Sequence, residues 1–281
     1  MAKIYTWQFA VRTYELGADK LVKPAAYLNY LQEAATQASA WCGYDYDWYQ
    51  TNRRSWFARK TTVRYYQPVG YGDTLNLQTW VSDYRRVQSN REYDLRRTDG
   101  TPVLRGRTNW VYIDLDTLRP TRAPEDFITN FEPSGEVQPL EVAISAPITP
   151  TAPRLFEEAR RVQTYEIDSA AHVNNSVYGA WAEDVFSNFC AALGVDEMLH
   201  NDGAKLSPLW CEIEYLRAAQ VREMVHLNTR LLAYNTEQAS FMVEMRAASG
   251  DLLATTLLGR RFTGANGEPY LPEAVITKFC Q

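Results

Sequence analysis

Cysteine and histidine are scarce in this chain of 281 residues, which has four of the first and three of the second. Cys42, Cys190, Cys211 and Cys280 are far apart and form no CxxC pair, which argues against a structural zinc site. His172, His200 and His226 are too few for a multi-histidine metal centre. The expectation is reduced, mostly buried thiols and no metal. Long apolar runs are also missing, and nothing approaches the ~20 residues of a spanning helix. The first residues, MAKIYTWQFAVRTYEL, lack the charged-then-apolar pattern of a secretory signal. These absences predict a soluble, cytoplasmic protein with no membrane span. A basic excess is absent as well. The net charge is −5 and the pI about 5.4, with no nucleic-acid motif, which disfavours a nucleic-acid partner. The charge is nevertheless uneven: residues 1–133 carry +3 and residues 134–281 carry −8. The basic groups cluster in NRRSWFARK, YRRVQSNRE and LRRTDG. They read either as a solvated sheet face or as a docking surface for an acidic partner.

Apolar and aromatic residues are plentiful. The chain is 46% hydrophobic and 13% aromatic, with eighteen tyrosines and eight tryptophans, a composition suited to β-rich packed surfaces. Its length suggests about two domains, and an internal repeat supports that division. YELGADKLVKPAAYLNYLQEAATQASAWCG (14–43) aligns without gaps on YEIDSAAHVNNSVYGAWAEDVFSNFCAALG (165–194) at an offset of 151. Tyr14/Tyr165, Glu15/Glu166, Val22/Val173, Tyr27/Tyr178, Ala40/Ala191 and Gly43/Gly194 are identical. Leu16/Ile167, Tyr30/Trp181 and Glu33/Asp184 are conservative pairs.

Each copy predicts the same elements: a short strand (4–14; 160–167), a helix (25–41; 175–192), then four strands. These lie near 56–66, 74–84, 89–97 and 103–115, and near 208–217, 224–234, 239–248 and 252–263. TLNLQTWVS and VHLNTRLLAY show the alternation of half-buried strands. TDGT and ASGD mark matching tight turns. Pro24 suits a first helical turn, Asn174 or Asn175 an N-cap, and Gly43 and Gly194 left-handed C-terminal caps. Both helices are apolar over most of their circumference and are expected to be buried. The proline- and acid-rich stretch 117–160 reads as a connection. The division is therefore 1–133, a linker at 134–159, and 160–281. The fold class is α+β, each half a long buried helix wrapped by a curved antiparallel sheet, with the halves paired edge to edge.

YELGADKLVKPAAYLNYLQEAATQ, GYGDTLNLQTWV, EIEYLR and above all HVNNSVYGAW resemble the acyl-acyl-carrier-protein thioesterases of plants and bacteria. These are tandem (double) hot-dog proteins. The resemblance covers nearly the whole chain. It implies hydrolysis of fatty acyl thioesters without metal or cofactor, an acyl pocket shaped by the first domain, and catalytic groups in the second.

The family's catalytic segment runs Asp, any residue, Asn, any residue, His, then Val-Asn-Asn. Its Asp falls on Asp168 and its His on His172, while its Asn position holds Ala170. A further catalytic Glu and a neighbouring Cys fall on Ala218 and Ala219. In the first copy Gly17 and Leu21 stand where Asp168 and His172 stand in the second. The resemblance therefore implies one site, in the second copy. Asp168 would be ionised at an ordinary carboxylate pKa and could activate water or attack the carbonyl itself. His172 could hold the acid or polarise the carbonyl. Val173, Asn174 and Asn175, at the helix start, are candidate oxyanion- or substrate-binding residues, with the backbone N–H groups of Val173 and Asn174 as candidate oxyanion donors. Against this, Asp168 could merely cap a turn, and Asn174 and Asn175 cap helices in many proteins. Glu33 and Asp184 occur in both copies, which favours a structural role. Glu212 and Glu214 fit a solvated strand face.

The leading expectation is hydrolysis of acyl thioesters on acyl-carrier protein or on coenzyme A. The acyl chain would lie between the two central helices near Tyr27, Tyr30, Leu31, Tyr178 and Trp181. The basic first half would meet the acidic carrier. Two alternatives stand beside it: an acyl-chain-binding protein that has lost hydrolysis, motivated by Ala170 and Ala218, and a thioesterase of a polyketide-like pathway. Monomer and homodimer are both open.

Overall fold

The computed structural model describes residues 3–280. The chain divides into two compact units, Met1–Glu141 and Val142–Gln281.

The first unit opens with β1 (Tyr5–Ala10), a 3-10 turn (Thr13–Glu15) and helix α1 (Pro24–Trp41). A short helix α2 (Tyr46–Asn52) leads into β2 (Arg54–Tyr65), β3 (Thr74–Arg85), β4 (Gln88–Arg97) and β5 (Pro102–Asp114). The two-residue β6 (Arg119–Pro120) and helix α3 (Glu125–Phe131) complete it. The sheet order is β1-β3-β4-β5-β2, with every neighbouring pair antiparallel.

The second unit repeats this plan. It comprises β7 (Phe156–Arg161), a 3-10 turn (Thr164–Glu166), α4 (Asn175–Ala192) and α5 (Val195–Asn201), then β8 (Lys205–Tyr215), β9 (Met224–Tyr234), β10 (Gln238–Ala247), β11 (Leu252–Thr263) and α6 (Glu273–Phe279). Its order, β7-β9-β10-β11-β8, is that of the first unit, strand for strand.

The long helices are core elements in both units. In α1 the residues Ala26, Tyr27, Tyr30, Leu31, Ala34 and Ala38 are buried, and a single stripe through Asn29, Glu33, Thr36 and Ala40 is exposed. In α4 the buried set includes Tyr178, Trp181, Ala182, Val185, Phe186 and Phe189, and Asp184 lies on the exposed stripe. Each large apolar side chain so buried contributes about 1.5–3 kcal/mol. Rings from the sheets meet the helices directly: Phe9 lies 4.6 Å from Tyr30, and Phe241 4.6 Å from Phe186. Both helices stop at a glycine in the left-handed region, Gly43 (φ +91°) and Gly194 (φ +69°), where a side chain would be strained.

The structure departs from the sequence reading in two places. The first strand of each copy ends earlier, and the second copy's begins upstream of 160 and stops at Arg161, because a buried glutamate turns the chain. Glu15 accepts the Arg12 N–H and Glu166 the Gln163 N–H, both at 2.7 Å, which closes a 3-10 turn where strand was expected. Four seven-residue helices, α2, α3, α5 and α6, were also not anticipated. Helix α3 lies within the stretch read as a connection. It is held there by Phe127, which is buried against Tyr44 and Tyr112.

Candidate active site

The loop carrying Asp168 is shaped by backbone bonds before any side chain acts. Ile167 and Val173 form an antiparallel bridge. Asp168 N–H donates to the His172 carbonyl (3.0 Å), and Ala171 N–H to that of Asp168 (3.0 Å). Ala171 takes φ +64°, a conformation uncommon outside glycine and asparagine. The loop is pinned on both sides. Val173 N–H donates to the Ala219 carbonyl and Asn174 N–H to that of Glu166, each at 3.0 Å. Glu166 in turn is buried, accepting from Gln163 N–H, the Arg160 guanidinium (2.5 Å) and Trp181 Nε1 (2.9 Å).

The first unit builds this frame from different residues. Gly17 N–H donates to the Leu21 carbonyl, Val22 N–H to that of Val69 and Lys23 N–H to that of Glu15, at 2.8, 2.9 and 3.0 Å. Lys20 takes φ +66°. The buried Glu15 accepts from Arg12 and from Tyr30 Oη (2.6 Å). The shared bonds are therefore a property of the fold, and only the side chains placed on them differ.

On that frame the Asp168 carboxylate is 23% exposed and the His172 ring 17% exposed, with Nδ1 3.8 Å from Oδ1, longer than a hydrogen bond. Oδ1 accepts the Ala170 N–H (2.9 Å), and Oδ2 lies 3.5 Å from Asn174 Nδ2. Asn174 caps α4, its Oδ1 accepting from Ser176 N–H and Oγ. These bonds correct one expectation. The N–H groups of Val173 and Asn174 are already spent on carbonyls that fix the loop, so neither is free to meet an oxyanion. In the first turn of α4, Ser176 N–H goes to Asn174 Oδ1 and Val177 N–H to the Asn174 carbonyl. That leaves the Asn175 N–H with no protein acceptor among the described residues. The equivalent residue in the first unit is Pro24, which has no N–H at all.

The strand-end segment 216–223 lies against the loop. Ala219 is buried, accepts from Val173 and donates its N–H to Tyr178 Oη (2.8 Å). Burial pushes the Tyr178 hydroxyl up to about 12, so it stays neutral near pH 7. Ala218 precedes it and is half-buried. One acid in this neighbourhood was missed from sequence. Glu223 pairs with Arg217 (2.5 Å), and its other oxygen accepts the Gln220 N–H (2.9 Å). Its counterpart at an offset of 150, Asp73, accepts the Gly70 N–H (2.8 Å) and pairs with Arg97. A group present in both units closes the turn rather than performing the chemistry, and the 150-residue offset was the signal that could have found it.

The remaining residues singled out from sequence fall in the cores. Tyr27, Tyr30, Leu31, Tyr178 and Trp181 are all buried, and Tyr30 and Trp181 are tied to Glu15 and Glu166. Glu212 and Glu214 are half-buried on β8. Burial pushes all four cysteine thiols up, Cys190 to about 12, which disfavours the thiolate. Among the described residues no three His, Cys, Asp or Glu side chains group as metal ligands, and no helix is long and apolar enough to cross a membrane.

The geometry can be set beside known proteins. Residues 2–131 match the family model of the acyl-ACP thioesterase N-terminal domain, and residues 162–278 that of the thioesterase-like superfamily. The oleoyl-acyl carrier protein thioesterase 1 of Arabidopsis thaliana is 23% identical over 195 residues, covering 63% of this chain and 53% of that protein. A palmitoyl-acyl carrier protein thioesterase from the same plant is 24% identical over 187 residues, covering 64% and 42%. The chain thus spans about half the length of the curated relatives it matches. In fold it is similar to an oleoyl thioesterase from Lactobacillus plantarum (TM-score 0.78, 17% identity, 97% of this chain and 98% of that one). It is similar too to the 12:0-ACP thioesterase from Umbellularia californica (TM-score 0.69, 18% identity, 92% and 98%). Each unit is a hot-dog domain of the α+β class, the first matching the acyl-ACP thioesterase N-terminal domain and the second the thioesterase-like superfamily.

Proposed function

We propose that this chain hydrolyses fatty acyl thioesters carried on acyl-carrier protein, with coenzyme A as the alternative carrier. One observation carries the reading. A solvent-reachable carboxylate, Asp168, stands before a helix whose Asn175 N–H has no protein acceptor among the described residues, and the first unit has Gly17 and Pro24 at these two positions. Thioester hydrolysis needs a base or nucleophile and a donor for the carbonyl oxygen as it gains charge. Asp168 takes a proton from water while the water oxygen bonds to the acyl carbon. The carbonyl oxygen becomes an oxyanion, stabilised by Asn175 N–H and the positive end of α4. The tetrahedral species collapses with cleavage of the C–S bond, and the proton returns to the leaving thiolate. Alternatively the same carboxylate attacks the carbon directly, the C–S bond breaks to release the thiolate, and water opens the resulting anhydride to give the fatty acid, its proton going to the thiolate. His172, 3.8 Å away, orients the acid or approaches the carbonyl. Within the second unit, the acyl chain runs beside Tyr178 at the start of α4, with Trp181 as fixed wall.

A second reading keeps acyl binding without turnover. It is motivated by Ala170 and Ala218, which stand where the family places Asn and Glu. A thiol-release assay on medium and long acyl thioesters separates the two. Release by the wild type, lost in Asp168→Asn, supports hydrolysis at this site. Calorimetric binding with no release would favour the non-hydrolytic reading.

A further inference from the structure

The first unit's sheet ends in β1, which is bonded on one side only, to β3. The register fixes which of its backbone groups are spent. Val11 N–H donates to the Asp73 carbonyl (3.0 Å), and in an antiparallel ladder every second residue bonds to the neighbouring strand. Phe9, Trp7 and Tyr5, opposite Leu75, Leu77 and Thr79, therefore bond to β3. Thr6, Gln8 and Ala10 turn their N–H and C=O groups outward. Among the described residues nothing bonds to these outward backbone groups, and all three residues are exposed.

The second unit carries the same strand with a different edge. β7 matches β1 residue for residue at an offset of 151, and Val162, the counterpart of Val11, donates to the Glu223 carbonyl. But β7 reads FEEARR, with four charged residues, whereas β1 reads YTWQFA and has none. Charged side chains resist the desolvation that edge-to-edge pairing requires, and they are a common guard on an exposed strand. β1 lacks that guard. It also lacks proline, and it has no bulge, since all six residues stay in register with β3. Such an edge is open to a further strand.

The sequence of β1 suits its own edge. Set antiparallel about Gln8, two copies bring Gln8 opposite Gln8 across a two-fold axis, with Thr6 opposite Ala10 on either side, so that the outward groups satisfy one another. Tyr5, Trp7 and Phe9 face α1, where Tyr5 Oη donates to Gln37 and Phe9 meets Tyr30. On that side Trp7 of one copy comes opposite Phe9 of the other, extending the Trp7–Phe9 stack at 4.1 Å. No like charges meet.

We propose that β1 is the docking edge for a second copy of this chain, which adds its own β1 antiparallel and forms a two-fold dimer. The pairing needs neither Asp168 nor hydrolysis.

Sedimentation equilibrium of the full chain in the micromolar range tests the axis by charge exchange. The wild type is expected to form a dimer that dissociates on dilution. Gln8→Lys and Gln8→Glu each set like charges opposite one another, and each is expected to raise the dissociation constant at least about tenfold with an unchanged melting temperature. An equimolar mixture of the two is expected to restore the dimer, since lysine then meets glutamate. Gln8→Pro, which deletes an outward N–H and no bond to β3, is expected to be folded and monomeric. Asp168→Asn is expected to dimerise as the wild type does. A monomeric wild type would overturn the proposal, as would a dimer that survives in Gln8→Lys or in folded Gln8→Pro, because the interface would then lie elsewhere. So would a mixture that associates no better than either charged variant alone.

Discussion

The two units hold one backbone frame and put different side chains on it. Asp168, His172, Asn174 and Asn175 in the second unit correspond to Gly17, Leu21, Lys23 and Pro24 in the first. The bonds that pin the loop, the left-handed residue within it and the buried glutamate beneath it are the same. The first unit even keeps an acid in its loop, but Asp19 accepts the Leu21 N–H (3.0 Å) and so closes its own turn. The contrast separates frame from chemistry: whatever both units share is structural, and the candidate reaction rests on what only the second unit has.

The sharpest way to break that division is at the two acids. Asp168→Asn is expected to lower thiol release by at least about 100-fold, the scale of losing a positioned base. Asp19→Asn, in the unit without a site, is expected to leave it unchanged. Equal loss in the two variants would show that the loops are not functionally distinct. Next comes the N–H that proline deletes. Asn175→Pro copies Pro24 into the second unit at the first helical position, where proline fits the backbone. If the Asn175 N–H is the oxyanion donor, the rate falls about 10²–10³-fold with helix content unchanged by circular dichroism. Full activity in Asn175→Pro would move the donor elsewhere.

The same division explains what could be read from sequence. The core helices and the eight long strands were legible because their alternation, caps and turns recur at offsets of 150 and 151. Asp168 and His172 were legible as a pair because HVNN is a specific run and because the first copy lacks both. Of the three residues expected to bind the oxyanion or substrate, sequence cannot tell that Val173 and Asn174 spend their N–H groups on Ala219 and Glu166, which leaves only that of Asn175. Those are contacts between distant or turned segments, invisible to local pattern. The four short helices were missed for a related reason. Seven residues offer too little periodicity, and Phe127 is recognisable as an anchor only once Tyr44 and Tyr112 surround it.

A smaller effect tests the shared frame. Glu15→Gln and Glu166→Gln each keep the shape of a buried acceptor but lose its charge beside an arginine at 2.9 and 2.5 Å. Each is expected to cost about 2–3 kcal/mol in urea unfolding, the scale of a charged hydrogen bond, and the two costs are expected to agree within about 1 kcal/mol. A large cost at Glu166 with none at Glu15 would show that the frames are not equivalent.

The smallest expected effect concerns the alanines. Ala170 is exposed in the turn, and its N–H holds Asp168 Oδ1. Ala218 sits one residue before Ala219, whose carbonyl pins Val173. Both positions therefore adjoin the loop, and an Asn and a Glu there could hold water near Asp168. The double variant Ala170→Asn with Ala218→Glu is expected to raise thiol release about tenfold, or about 1.4 kcal/mol in barrier. The equivalent changes in the first unit, Asp19→Asn with Pro68→Glu, are expected to do nothing, because Gly17 offers no acid to assist. A gain confined to the second unit would place the alanines in register with the family's polar positions. No gain in either would mean that Asp168 and the Asn175 N–H work without them.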